Sequence, residues 1–188
     1  IPARPEVRNY CYANINGRLY YRENSSMYLQ DIGGKKEERI KGMLEVRTAL
    51  RELMDFQLAF EAEESLAYHA QLQQRLNNLN HSYDRFIKQY GFINSRANIM
   101  AFAKDNEAPL LRSIEDPMKD ERGTIKKGEY QKGAVFFKAT IQPWKMPEQA
   151  DTVDDALRIS LTVHGKLDLD YMQYLYRNGN AACSKETI

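Results

Sequence analysis

The side chains with the widest chemical reach are three histidines, two cysteines and a few groups of acids, and their spacing rules out most of what such groups do. His69, His81 and His164 form no HExxH motif and no pair at i, i+4, so a histidine metal triad does not follow. Cys11 and Cys183 stand at opposite ends without a CxxC pattern, which argues against a zinc site or a disulfide framework and points to a reducing, cytoplasmic compartment. Glu63 with Glu64, and Asp151 with Asp154 and Asp155, lack the matching acids and histidines of a di-iron bundle and read as solvated helix starts. Lys138 lies in an aromatic stretch, but no GxxxxGK[ST] or GxGxxG loop accompanies it to cradle a phosphate. The expectation is therefore a non-enzyme with no metal and no cofactor.

Recognition is the chemistry that remains. Lys35, Lys36, Arg39, Lys41, Arg47 and Arg51 face only Glu37, Glu38 and Glu45 in sequence, and Lys119, Arg122, Lys126, Lys127 and Lys132 face Asp120, Glu121 and Glu129. If such side chains converge they contact phosphate weakly and with strong salt dependence; otherwise each run is a solvated face. The formal net charge of +1, from 27 basic and 26 acidic residues, supplies no global field toward a polyanion. Lys35, Lys36, Arg39, Lys126 and Lys127 are the phosphate candidates. Tyr12, Tyr20 and Tyr21 are the candidates for stacking on bases, although rings on a hairpin also serve to cover it.

A second set is polar and central. Asn77, Asn80, Tyr83, Asp84, Asn94 and Asn98 surround the end of one long helix and the start of the next. Buried amides and carboxylates demand partners, so these residues either fix that corner as an internal network or meet a partner molecule.

The elements that position these groups follow from periodicity. Leu72, Leu76, Leu79, Tyr83, Phe86, Ile87 and Tyr90 recur at three- and four-residue steps, which predicts a helix over 65–90 ended at Gly91. Ile40, Met43, Leu44, Leu50, Leu53 and Met54 predict another over 37–60. A break between 59 and 65 folds the two into an antiparallel pair; without it they form one long coiled-coil-like rod. Asn16-Gly17 between aromatic runs predicts a hairpin over 9–22 through a type I′ turn. Short helices are expected over 95–115, with Pro109 tolerated in the first turn, a flexible loop over 116–133 and a strand over 134–141. That strand makes a three-stranded sheet if it pairs with the hairpin. Thr152 and Asp168 are placed to cap a two-helix module over 152–177, with the last helix ending at Gly179. The fold class is α+β, mostly helical, in a single domain over 7–177, and no stretch is apolar enough to span a bilayer.

Taken together, Tyr20-Tyr-Arg-Glu-Asn-Ser-Ser-Met27, Glu38-Arg-Ile-Lys-Gly-Met43, Leu79-Asn-His-Ser-Tyr-Asp-Arg-Phe86, Tyr90-Gly-Phe-Ile-Asn-Ser95, Pro109-Leu-Leu-Arg-Ser-Ile-Glu115, Phe137-Lys-Ala-Thr-Ile141 and Asp155-Ala-Leu-Arg-Ile-Ser-Leu161 resemble a region of the large SNF2-like DNA helicase and adenine-specific methyltransferase proteins of conjugative transposons, plasmids and phages. The likeness runs from about residue 7 to 177, in the part that joins the two enzymatic halves. It implies a non-catalytic accessory domain that assists DNA binding or positions the motor, with DNA and the helicase and methyltransferase parts of the parent chain as partners. Ala139 stands where the family commonly carries Arg before Thr-Ile, which weakens a phosphate role for Lys138. The alternative is a protein-interaction or oligomerisation module without DNA contact.

Overall fold

The computed structural model describes residues 1–59, 65–141 and 147–183, with side chains up to 178. The chain divides into two compact units, 1–143 and 144–188, so the single domain expected over 7–177 covers most of the first and part of the second. It is a mixed α+β protein dominated by helices. No helix among the described residues is long and apolar enough to cross a membrane.

The first unit opens with β1 (Tyr12–Ile15), β2 (Arg18–Glu23) and β3 (Ser26–Leu29), antiparallel in the order β1-β2-β3. Asn16 and Gly17 have φ of 51° and 80°, the positive pair that a type I′ turn requires, and they set the register Tyr12↔Tyr21. The third strand follows a polar turn that carries no alternating apolar pattern. Asn24 takes φ of 54° and its N–H donates to Asn9 Oδ1 at 2.7 Å, turning the chain so that Met27 buries against Val7, Cys11, Ala13 and Ile15. The polar Asn-Ser-Ser signal marks a tight turn, and a strand follows it.

Helices α1 (Gly34–Ala59) and α2 (Leu66–Tyr90) form the expected antiparallel pair, with Arg85 of α2 on Glu45 and Phe56 stacked on Tyr68 at 5.3 Å. Residues 60–64, where the break was expected, lie outside the described residues. Ser65 caps α2, its hydroxyl accepting from Tyr68 N at 3.0 Å, so α2 has its own start. Gly42 leaves room for the Phe86 ring: a Cβ there would lie 2.9 Å from it. Ile40, Met43, Leu50, Leu53, Leu79 and Tyr83 fill the interface and are essentially inaccessible.

After α3 (Arg96–Phe102) and α4 (Ala108–Arg112) come two corrections. The expected flexible loop over 116–133 is a hairpin of β4 (Glu115–Lys119) and β5 (Ile125–Lys132). Its strands are exposed on both faces, so it lacks the apolar alternation by which strands are read. Its turn is held by Asp120 Oδ1, which accepts from Arg122 N at 2.9 Å and Thr124 N at 2.8 Å. The strand expected over 134–141 is absent. Ala134–Phe136 make one 3₁₀ turn that drives the Phe136 ring to 4.7 Å from Tyr83, while Thr140 N and Ile141 N both donate to Gln57 Oε1 at 2.8 Å. The aromatic composition that suggests a strand here plugs the helix pair instead.

In the second unit α5 (Val153–His164) begins at Thr152, which accepts from Asp155 N at 3.1 Å, and ends at Gly165 with φ of 66°. Asp168 Oδ1 accepts from Tyr171 N at the start of α6 (Leu169–Cys183), which continues past Gly179, its expected end. Ala150, Ala156, Met172 and Leu175 form the small core of this unit.

Candidate nucleic-acid interface and the polar corner behind it

The end of α2 is where the sequence places its polar set, and each side chain there has a partner inside the chain. Asn98, wholly buried, donates through Nδ2 to the carbonyls of Tyr90, Gly91 and Phe92 at 3.2, 3.2 and 2.7 Å. These carbonyls belong to the end of α2 and the link beyond it, so Asn98 does the work of a C-cap from the next helix. Arg39 of α1 completes it, donating to Asn98 Oδ1 at 2.7 Å and Tyr90 O at 3.3 Å. Arg39 is thus part of the corner, and its guanidinium also lies 5.2 Å from the centre of the Tyr90 ring.

Glu115, at the first position of β4, is the second centre. Its carboxylate accepts from Tyr83 Oη, Ile93 N, Asn94 N and Asn94 Nδ2 at 2.7–3.0 Å. Burial, then the charge and hydrogen bond of Glu115, push the Tyr83 hydroxyl far above its ordinary range and keep it a donor. Lys132 of β5 closes the third group, donating to Asn80 Oδ1 at 2.6 Å and pairing with Asp84 at 2.7 Å over the Tyr83 and Phe136 rings. Asn80 Nδ2 donates to Phe136 O at 2.9 Å. Of the six residues, Asn77 and Asp84 are exposed, Asp84 paired with Lys132 and Asn77 accepting from Gln73 at 3.0 Å.

A further cluster has no sequence signal beyond scattered charges, because its members are remote in the chain. Arg47 donates to Asp105 Oδ2 at 2.8 Å and Tyr12 O at 2.6 Å, and its Nε faces Glu107 at 3.3 Å. Arg51 and Arg8 also reach Glu107. Asp105 takes Tyr12 N at 2.7 Å, which seals the outer edge of β1 onto the link between α3 and α4. Cys11 lies beside the two acids, with ligand atoms of all three within 4.8 Å. Burial first and Asp105 second push its thiol up to about 11, and the carboxylates face guanidinium groups, so this set fits ion pairing better than it fits a metal ion.

The same packing decides the stacking candidates. Tyr12 is 3% exposed, with its ring against Tyr21 and Phe102 at 5.0 and 5.8 Å, so it offers no face to a base. Tyr21 is half-buried and donates through its hydroxyl to Lys104 O at 2.8 Å, and Tyr20 is half-buried against the hairpin's own core.

The remaining cations behave differently. Lys35 and Lys36 are exposed in the first turn of α1, and Lys119, Arg122, Lys126 and Lys127 are exposed on the β4–β5 hairpin. Of these, Lys126 alone has a described ion pair, with Glu129 at 3.8 Å between two solvent-facing side chains. Each of the two elements touches the end of α2 or the link after it: Arg39 of α1 reaches Tyr90 O, and the Tyr130 ring of β5 lies 5.7 Å from Phe92. No protein-family model, curated protein or solved structure matches this chain.

Proposed function

We propose that this chain is a non-catalytic, cytoplasmic accessory domain of a DNA helicase/methyltransferase-like protein of mobile elements, and that it holds DNA against the motor through the start of α1 and the β4–β5 hairpin. The observation that carries the reading is the division among the basic residues. Arg39, Arg47, Arg51 and Lys132 are committed to internal acceptors, while Lys35, Lys36, Lys126 and Lys127 extend from two elements anchored at one corner. Mobile positive ends on a fixed frame suit contact with a phosphate backbone, which needs charge and no particular base. The convergent acids are spent in ion pairs and hydrogen bonds, which favours a binding role over catalysis for this segment.

Fluorescence anisotropy with short single-stranded and duplex DNA tests it. Binding in the range of about 10⁻⁴ to 10⁻⁶ M that fades with salt is expected. Charge reversal at Lys35, Lys36, Lys126 and Lys127 should abolish it, and no binding at low salt would overturn the reading.

A second reading, protein interaction, is favoured by the second unit, where Val153, Leu161, Leu167, Leu169 and Tyr174 are about half or more exposed. Self-association in light scattering that survives the charge reversals would support it.

A further inference from the structure

Between α3, α4 and the face of α1 lies a cavity of about 350 Å³. Met43, Ile93, Phe102 and Leu111 of the main core lie among its lining residues with almost no surface of their own, and the more accessible apolar lining comes from Ile99, Ala108 and Pro109. Its buried polar groups are already used. Asn98 makes four hydrogen bonds with the end of α2 and Arg39, and both Asp105 oxygens hold backbone N–H groups. Neither has an evident spare group with which to read the edge of a base or a sugar hydroxyl.

Arg112 lines the same cavity and is different. Its Nε donates to Asn94 Oδ1 at 2.9 Å while Asn94 Nδ2 donates back to Arg112 O at 2.9 Å, which holds the exposed side chain in place. Its two terminal nitrogens make no described hydrogen bond or ion pair. A guanidinium held through Nε keeps a planar fork that matches a carboxylate with two parallel bonds. The volume falls at the lower end of the range for small-molecule sites.

We propose that this pocket binds a small apolar group carrying a carboxylate, the hydrocarbon entering between α3 and α4 and the carboxylate pairing with Arg112. The ligand is either a free arylalkyl acid or the C-terminal residue of a peptide ending in an apolar side chain. Both present the same chemistry, and neither depends on DNA binding by the lysines.

Methyl NMR of Ile93, Ile99 and Leu111 in the full chain, titrated with 3-phenylpropionate and with acetyl-Gly-Phe, tests the assignment. Shifts localised to these methyls with both acids are expected, and acetyl-Gly-Phe-amide should bind at least about tenfold more weakly because it lacks the charge. A peptide that binds more tightly than the free acid identifies a C-terminus as the occupant, and the reverse order identifies the small acid. Arg112→Gln should lower affinity about tenfold and Arg112→Lys less, while Ala103→Trp, which fills the mouth, should block both ligands. No shifts up to about 5 mM ligand, or equal binding of acid and amide, overturns the proposal.

Discussion

The corner at the end of α2, which takes in the base of the β4–β5 hairpin through Glu115 and Lys132, and the rest of that hairpin carry similar polar chemistry and use it in opposite ways. At the corner, Asn98, Glu115, Tyr83 and Arg39 are buried or half-buried, and described hydrogen bonds occupy each of them. On the hairpin, Arg122 and Lys127 are exposed with no described side-chain partner. A polar residue in the centre of a helical motif is therefore poor evidence for a binding site, because the unsatisfied ends of two helices consume it. A charged residue on a frame that others hold in place is better evidence, since its side chain is free for a ligand.

This contrast breaks most severely at the ion cluster. Arg47→Met leaves Asp105 buried beside Glu107 with one guanidinium fewer, and chemical denaturation should show a loss of about 3–5 kcal/mol. Glu115→Gln replaces a charged acceptor of four hydrogen bonds by an amide that conflicts with at least one donor, at a cost of about 2–3 kcal/mol by the same measurement. Gly42→Ala pushes a methyl into Phe86, and a loss of about 1–3 kcal/mol is expected unless the ring gives way. Cys11 sharpens the comparison through pH. A thiol raised from about 9 to about 11 by folding contributes stability that is complete below pH 9 and is lost as pH rises toward 11. With Cys183 replaced by Ser, Cys11 should also resist alkylation at neutral pH far longer in the native chain than in the unfolded one. At the small end, Lys126→Gln with Lys127→Gln should shift stability by no more than about 0.5 kcal/mol, because the one ion pair affected is exposed.

How legible each part is in the sequence follows the same division. Periodic apolar residues placed the two long helices, and Asn16-Gly17 placed the first hairpin, because both signals act locally. For the polar set around Asn80, Asn94 and Asn98 the residue types show only that partners are needed, since free helix ends must be satisfied wherever they occur, and they leave open whether those partners are internal or another molecule. The strands β3 to β5 were not legible. Met27 buries one face of β3 behind a polar turn, and β4 and β5 expose both faces, so neither hairpin shows the period of two. Phe136 misled for the opposite reason: strand-forming residues were used by tertiary packing against Tyr83. The Arg47–Asp105 pair spans 58 residues of sequence and has no local signature at all.

The most direct test of the central claim is the dependence of duplex DNA affinity on salt, compared between the natural chain and the Lys126→Gln, Lys127→Gln variant. If both lysines neutralise phosphates, the plot of log affinity against log salt should become shallower by about 0.9 for each, close to 1.8 in all, with thermal stability unchanged. Equal slopes in the two proteins, or no measurable DNA binding by the natural chain at low salt, would contradict the assignment of this hairpin to DNA.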